Sequence, residues 1–140
     1  MIEYKMTLAA KTQHLVHETA LRQAAHGWTL MGSRGRVSGH VNFPPQPMCT
    51  EDFGETDLVE LPRGGVLYAH TVVRLKTAHF DPPYSVGYVD LDDGTRVYAP
   101  IEGNDLRNGD RMSLWAGTMW EEEGQPVIAF KFVKEDIADA

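Results

Sequence analysis

The stretch Gly35-Arg36-Val37-Ser38-Gly39-His40-Val41-Asn42-Phe43-Pro44-Pro45-Gln46-Pro47-Met48-Cys49-Thr50-Glu51-Asp52 decides how the chain is read. Gly35 and Ser38 stand three apart, and so do Cys49 and Asp52, the spacing at which two tight turns present four ligands to one structural zinc. A ribbon of the form Cys-x2-Cys-Gly … Phe-Pro-Pro … Cys-x2-Cys would need a thiolate at all four positions, and only Cys49 supplies one. Glycine has no side chain, a serine hydroxyl is a poor zinc ligand, and aspartate is uncommon at a structural site. The segment therefore reads as a degenerate zinc-ribbon-like element, with zinc not expected. His40, across the expected hairpin from Cys49, adds one donor but does not complete a set. Without a metal's contribution to folding, the segment must be held by packing, for which Val41, Phe43 and Met48 are the candidates; the prolines restrict the unfolded chain.

Upstream, Leu8, Leu15, Val16, Ala20, Leu21 and Ala24 recur at helical spacing and predict a helix over Leu8–His26, with Gly27 as its C-terminal stop. Trp28–Met31 and Leu58–Leu61 read as short strands on either side of the ribbon-like segment. From Gly64 onward the texture is all β. Val66–Leu75 has the length of a curved barrel strand. Ser85–Leu91 and Thr95–Ile101 are joined by the turn Asp92-Asp93-Gly94, and Met112–Trp120 and Pro126–Val133 by Glu121–Gln125. The expected architecture is mainly β: an N-terminal helix over 1–27, the degenerate ribbon over 28–62, and a five-stranded OB-fold barrel over 63–140. Strand spacing alone also admits a small sandwich.

The totals exclude several classes. With 13 Lys and Arg against 20 Asp and Glu, the formal charge is −7, which opposes a phosphate-backbone partner. No apolar run approaches the roughly 20 residues that span a bilayer, and the first residues show no signal-peptide pattern. One cysteine permits no intrachain disulfide, in keeping with a cytoplasmic protein. No nucleophile elbow, phosphate-cradling glycine loop or dinucleotide fingerprint occurs, so no catalytic residue is assigned.

The ordered set of motifs resembles the DUF35 family, in which a rubredoxin-like zinc ribbon precedes an acyl-CoA-associated OB-fold. It comprises Phe43-Pro44-Pro45, Gly65-Val66-Leu67-Tyr68-Ala69-His70-Thr71-Val72-Val73, Phe80-Asp81-Pro82-Pro83-Tyr84, Val89–Gly94, Leu106–Met112 and Ile128–Phe132. The resemblance implies a non-catalytic accessory subunit, docked on a thiolase-superfamily or related acyl-CoA enzyme and helping to position acyl-CoA chemistry. It has no cofactor of its own, but contact with the coenzyme A of the partner's substrate is allowed for.

Two groups are the candidate partner or coenzyme A contacts. One is the ring-and-proline set Phe43, Pro44, Pro45, Phe80, Pro82, Pro83 and Tyr84, whose rings serve interfaces as readily as cores. The other is Arg74 with Lys76, which period-two alternation places on one face of the first barrel strand, where they could meet a phosphate or simply balance surface charge. The alternative function is an independent OB-fold module for single-stranded nucleic acid or another ligand, which would call for a basic groove lined with aromatics. A small hydratase or cyclase using His70 or Tyr98 has only the presence of titratable groups behind it.

Overall fold

The computed structural model describes His14–Leu15 and residues 20–135. Ten strands run in order: β1 (His14–Leu15), β2 (Leu21–Ala24), β3 (Gly27–Gly35), β4 (Val41–Asn42), β5 (Thr56–Glu60), β6 (Gly64–Val73), β7 (Tyr84–Leu91), β8 (Arg96–Glu102), β9 (Arg111–Glu122) and β10 (Gln125–Lys134). No helix occurs among the described residues, so none there is long and apolar enough to cross a membrane.

The second half closes on itself. The sheet runs β1-β10-β8-β7-β6-β9, and β10 also pairs with β9, which joins β6 to β10 into a five-stranded barrel. β8 meets β10 in parallel at Ile101↔Phe132, while the remaining barrel pairs are antiparallel. This is an OB-fold. Closure removes the sandwich that strand spacing alone admits. The long strand β6 pairs with β9 through Gly64–Val66 and with β7 over its length, and a bulge between Leu67 and Ala69 lets it curve between them. At that bulge the Leu67 amide donates to Asp110 O at 2.9 Å and the Gly109 amide to Leu67 O at 2.8 Å, so the loop before β9 is pinned to β6.

The first half is a smaller sheet centred on β3, which pairs with β2, β4 and β5. Its Leu21, Leu30 and Leu61 belong to the same buried cluster as the barrel's Leu67, Val89, Val97, Met112 and Phe132. Arg63 adds a polar tie, its Nη1 donating to Trp28 O at 2.8 Å.

The expected helix is not present where it can be tested. Leu21–Ala24 and Gly27–Leu30 form a β-hairpin with Ala24 opposite Gly27, and His14–Leu15 is a parallel strand on β10. Residues 8–13 and 16–19 of that prediction lie outside the described residues. Its reading failed on a physical ambiguity. The apolar pair Ala20–Leu21 followed by two exposed residues suits a helix face and a hairpin equally, and Gly27 is left-handed (φ 112°) in either a helix stop or a tight turn. Strand limits shift as well. β6 begins at Gly64 and ends at Val73, where its pairing with Tyr84 stops. Arg74 and Lys76 therefore lie in the following loop and not on a strand face, so the alternation expected for them does not apply.

Candidate functional site

The degenerate ribbon folds into two matching turns. In the first, Gly39 N donates to Gly35 O and Gly35 N to His40 O. In the second, Phe53 N donates to Cys49 O and Cys49 N to Gly54 O, all four bonds measuring 2.9 Å. The turns match residue for residue, 35–40 onto 49–54, down to the left-handed residue in each (Gly39 φ 76°, Phe53 φ 59°). The four expected ligand positions meet at one point. Ser38 Oγ lies 3.3 Å from Cys49 Sγ, and a Cβ built on Gly35 would stand 2.8 Å from both atoms. Asp52 takes a hydrogen bond from Gly54 N at 2.9 Å and interacts with the Cys49 side chain, and these hold its carboxyl below the ordinary range.

The donor set is a poor one for structural zinc: a thiol, a hydroxyl and a carboxylate, with no side chain at Gly35. Ser38 Oγ and Cys49 Sγ meet in a direct hydrogen bond. His40 faces Glu51, its Nδ1 3.7 Å from that carboxylate. Among the described residues no three His, Cys, Asp or Glu side chains converge as a metal site.

Packing fixes the segment instead, though not by every expected residue. Cys49 is buried, and Val41 and Phe43 pack on the core, with the Phe43 ring edge-on to Phe130 at 5.9 Å. Met48 is exposed and contributes only a backbone bridge to Glu55. At the tip of the first turn, Arg36 reaches across to Glu55 and Asp57. Pro44 is exposed, and Pro45 lines an open groove of about 530 Å³ with Leu21, Met31, Pro47 and Leu58, with Arg22 at its rim.

The second candidate group gathers at one end of the barrel. The Phe80 ring stacks on Tyr84 at 5.1 Å and meets Trp120 edge-on at 6.2 Å, while His79 stacks flat on Trp120 at 4.1 Å. Glu122 accepts from Trp120 Nε1 at 3.1 Å and lies 3.2 Å from His79 Nε2. Thr77 ties the loop shut through Phe80 N at 3.2 Å, which leaves Pro82 and Pro83 exposed. Arg74 and Lys76 are exposed at the start of this loop and have no carboxylate partner among the described residues. Most barrel cations are paired: Arg96 with Asp90, Arg111 with Asp92, Lys131 with Glu102 and Lys134 with Asp110.

Both candidate groups therefore anchor on the β9–β10 hairpin, Phe43 at Phe130 and Phe80 at Trp120. Trp120 is opposite Val127, so the two anchor points lie three residues apart along β10, about 10 Å by strand rise. Sequence reasoning missed Trp120 as the stacking platform, because aromatic neighbours across a fold leave no local pattern. It also named Tyr98 only as a titratable group and missed the outer barrel face it shares with Tyr68 and Tyr88, although their alternation with buried Leu67, Val89 and Val97 was a usable signal. His70 bonds Asn108 through Nδ1 at 3.1 Å and lines a shallow depression together with Tyr88 and Tyr98, and among the described residues it has no carboxylate partner.

Comparison with known proteins adds three kinds of relative. Residues 58–116 match the family described as the C-terminal OB-fold domain of ChsH2. The benzoylsuccinyl-CoA thiolase subunit BbsA of Thauera aromatica is 35% identical over 109 residues, 75% of this chain and 76% of that protein. A DUF35 domain-containing scaffold protein of Methanothermobacter thermautotrophicus is 28% identical over 118 residues, 79% of this chain and 89% of that one. Among solved structures, a chain of the Ltp2-ChsH2(DUF35) aldolase superposes with a TM-score of 0.64 at 22% identity, covering 76% of this chain and 84% of its own, a likeness of fold.

Proposed function

The chain belongs to the DUF35 family, and from that premise we propose that it is a non-catalytic accessory subunit of a thiolase-superfamily or related acyl-CoA enzyme. The observation that carries this reading is the 35% identity to a subunit named for a benzoylsuccinyl-CoA thiolase, spread over three-quarters of both chains. The lack of a nucleophile elbow, phosphate-cradling glycine loop or dinucleotide fingerprint in the sequence supports a role in assembly and positioning. Cys49, the one thiol, is buried among a hydroxyl and a carboxylate.

The residues divide the work. The ribbon, with Phe43, Pro44 and Pro45 near the groove, docks on the enzyme, and it does so without zinc. The Phe80–Tyr84 loop with Arg74 and Lys76 lies beside the coenzyme A of the partner's substrate. There two cations with no carboxylate partner among the described residues are available to phosphates, and the rings offer a stacking surface for adenine. The protein works in the cytoplasm.

The test is tagged purification from the native host, with mass spectrometry of co-eluting chains, metal analysis and acyl-CoA assays on the same sample. A stoichiometric thiolase-superfamily partner, no bound zinc and no turnover by this chain alone are expected. Thiolysis or acyl-CoA hydrolysis by the pure chain would sink the accessory role.

A further inference from the structure

The outer face of β6–β8 carries three exposed tyrosines, Tyr68, Tyr88 and Tyr98, at 53%, 44% and 57% exposure. Tyr88 and Tyr98 are cross-strand partners with rings 5.2 Å apart. Tyr68 is thrust outward at the bulge, where the neighbouring backbone of Leu67 bonds the β8–β9 loop. Beside the tyrosine pair the surface sinks into a depression of about 210 Å³ lined by Ala69, His70, Thr71, Val86 and Gly87, with His70 bonded to Asn108. The floor stays low because β6 and β7 approach closely there: a Cβ on Gly87 would stand 2.4 Å from Ala69 O.

The charges on this face cancel within it. Arg96 is gripped by Asp90 through two hydrogen bonds, and its guanidinium lies 3.6 Å over the Tyr68 ring, so neither charge is left to attract a ligand. A single strand of nucleic acid would find rings to stack on, but on this face no unpaired Arg or Lys among the described residues for its phosphates. A second copy of this chain would bring another charge of −7 against the first. What the face complements is an uncharged or basic surface with a projecting apolar side chain. Tyrosine is enriched in interface cores, where it supplies area at small entropic cost.

We propose that this face is a docking surface for the acyl-CoA enzyme subunit, and that the depression between Tyr88, Tyr98 and the Ala69–Gly87 floor seats one apolar side chain of that subunit. The inference rests on the accessory-subunit reading above and adds a contact that the ribbon does not make.

The experiment places a photo-crosslinking amino acid, p-benzoylphenylalanine, at Tyr98 or, as a control, at exposed Asp105, in the full chain within its native host. Crosslinking of position 98 but not 105 to a thiolase-superfamily subunit is expected. The Tyr88→Ser/Tyr98→Ser variant and, separately, Thr71→Glu should each weaken binding of that purified subunit about tenfold or more, as loss of an interface anchor does, with melting temperatures near the parent's. A crosslink from position 98 to this chain itself would overturn the proposal in favour of a homodimer. Co-purification of the enzyme subunit with no crosslink at 98 and unchanged affinity in both variants would also overturn it, while leaving the accessory role standing. Recovery of this chain without any thiolase-superfamily subunit would overturn both.

Discussion

Phe53 occupies the position in the second turn that Gly39 occupies in the first, and both are left-handed, at φ 59° and 76°. For glycine this conformation is free of side-chain cost; for a bulky residue it costs roughly 1–2 kcal/mol. Phe53 is also 75% exposed, so its ring recovers little of that by burial. Phe53→Gly should therefore raise stability by about 0.5–1 kcal/mol, the strain relief being partly offset by the freer unfolded chain. A denaturant midpoint with unchanged slope reads this directly. If the midpoint falls instead, the ring has a packing role that its exposure conceals.

The contracted cluster at Gly35, Ser38, Cys49 and Asp52 makes a second expectation concrete. Prolonged chelation should leave the melting temperature within a degree or two, as a ribbon held by packing and not by metal requires. Gly35→Ala should destabilise by about 1–3 kcal/mol, because the added methyl meets Cys49 Sγ and Ser38 Oγ at 2.8 Å in a site already closed. A large chelator effect would mean the four positions open around an ion in solution.

Acid should act on the barrel's outer ion pairs. Hydrogen bonds from Arg96 and Arg111 hold Asp90 and Asp92 below the ordinary carboxylate range. A carboxyl whose folded value is depressed contributes stability that is fully present above its unfolded value, about 3.9. That contribution is lost as the pH falls through the lower folded value. Stability should thus be insensitive to these groups between about pH 5 and 8 and should decline below about pH 4. Asp92→Asn should lower the melting temperature at neutral pH and flatten the acid limb, so the two curves converge under acid. Parallel curves would show that Asp92 does not supply the slope.

The ring cluster at the barrel end predicts a separation of effects. Phe80→Ala removes one ring from the set that includes Tyr84 and Trp120, and should cost only about 0.5–1.5 kcal/mol beyond the small area buried. Trp120 emission should shift with the change in its surroundings. Coenzyme A retention by the enzyme complex should fall more than stability does, as it should for Arg74→Glu/Lys76→Glu. Equal loss of fold and retention would make the loop structural only.

Much of the barrel is legible in the sequence. The barrel strands announce themselves through β-branched and aromatic runs divided by Asp92-Asp93-Gly94 and Glu123-Gly124, whose glycines are left-handed in the structure. The paired spacing at 35/38 and 49/52 located a real convergence even with three ligands gone. The first strands were misread because a short amphipathic segment does not declare its period; Leu21–Ala24 spans only four residues and draws its pairing from Gly27–Leu30. Arg74 and Lys76 were misplaced because strand ends are set by where a partner stops, and β7 stops at Tyr84. The tyrosine face went unremarked since each ring alone is an ordinary strand residue, and only register brings them side by side.

The core that runs without a break from Leu30 and Leu61 into Leu67 and Phe132 bears on how the ligand positions could drift. A knuckle pair held by its ion alone would collapse with the first lost thiolate, and selection would guard all four cysteines. Here the ribbon is rooted in the barrel, so the two turns can keep their shape with a hydroxyl at Ser38, a carboxylate at Asp52 and no side chain at Gly35. A shape secured from beneath leaves the residues at its tips free to serve something other than its own cohesion.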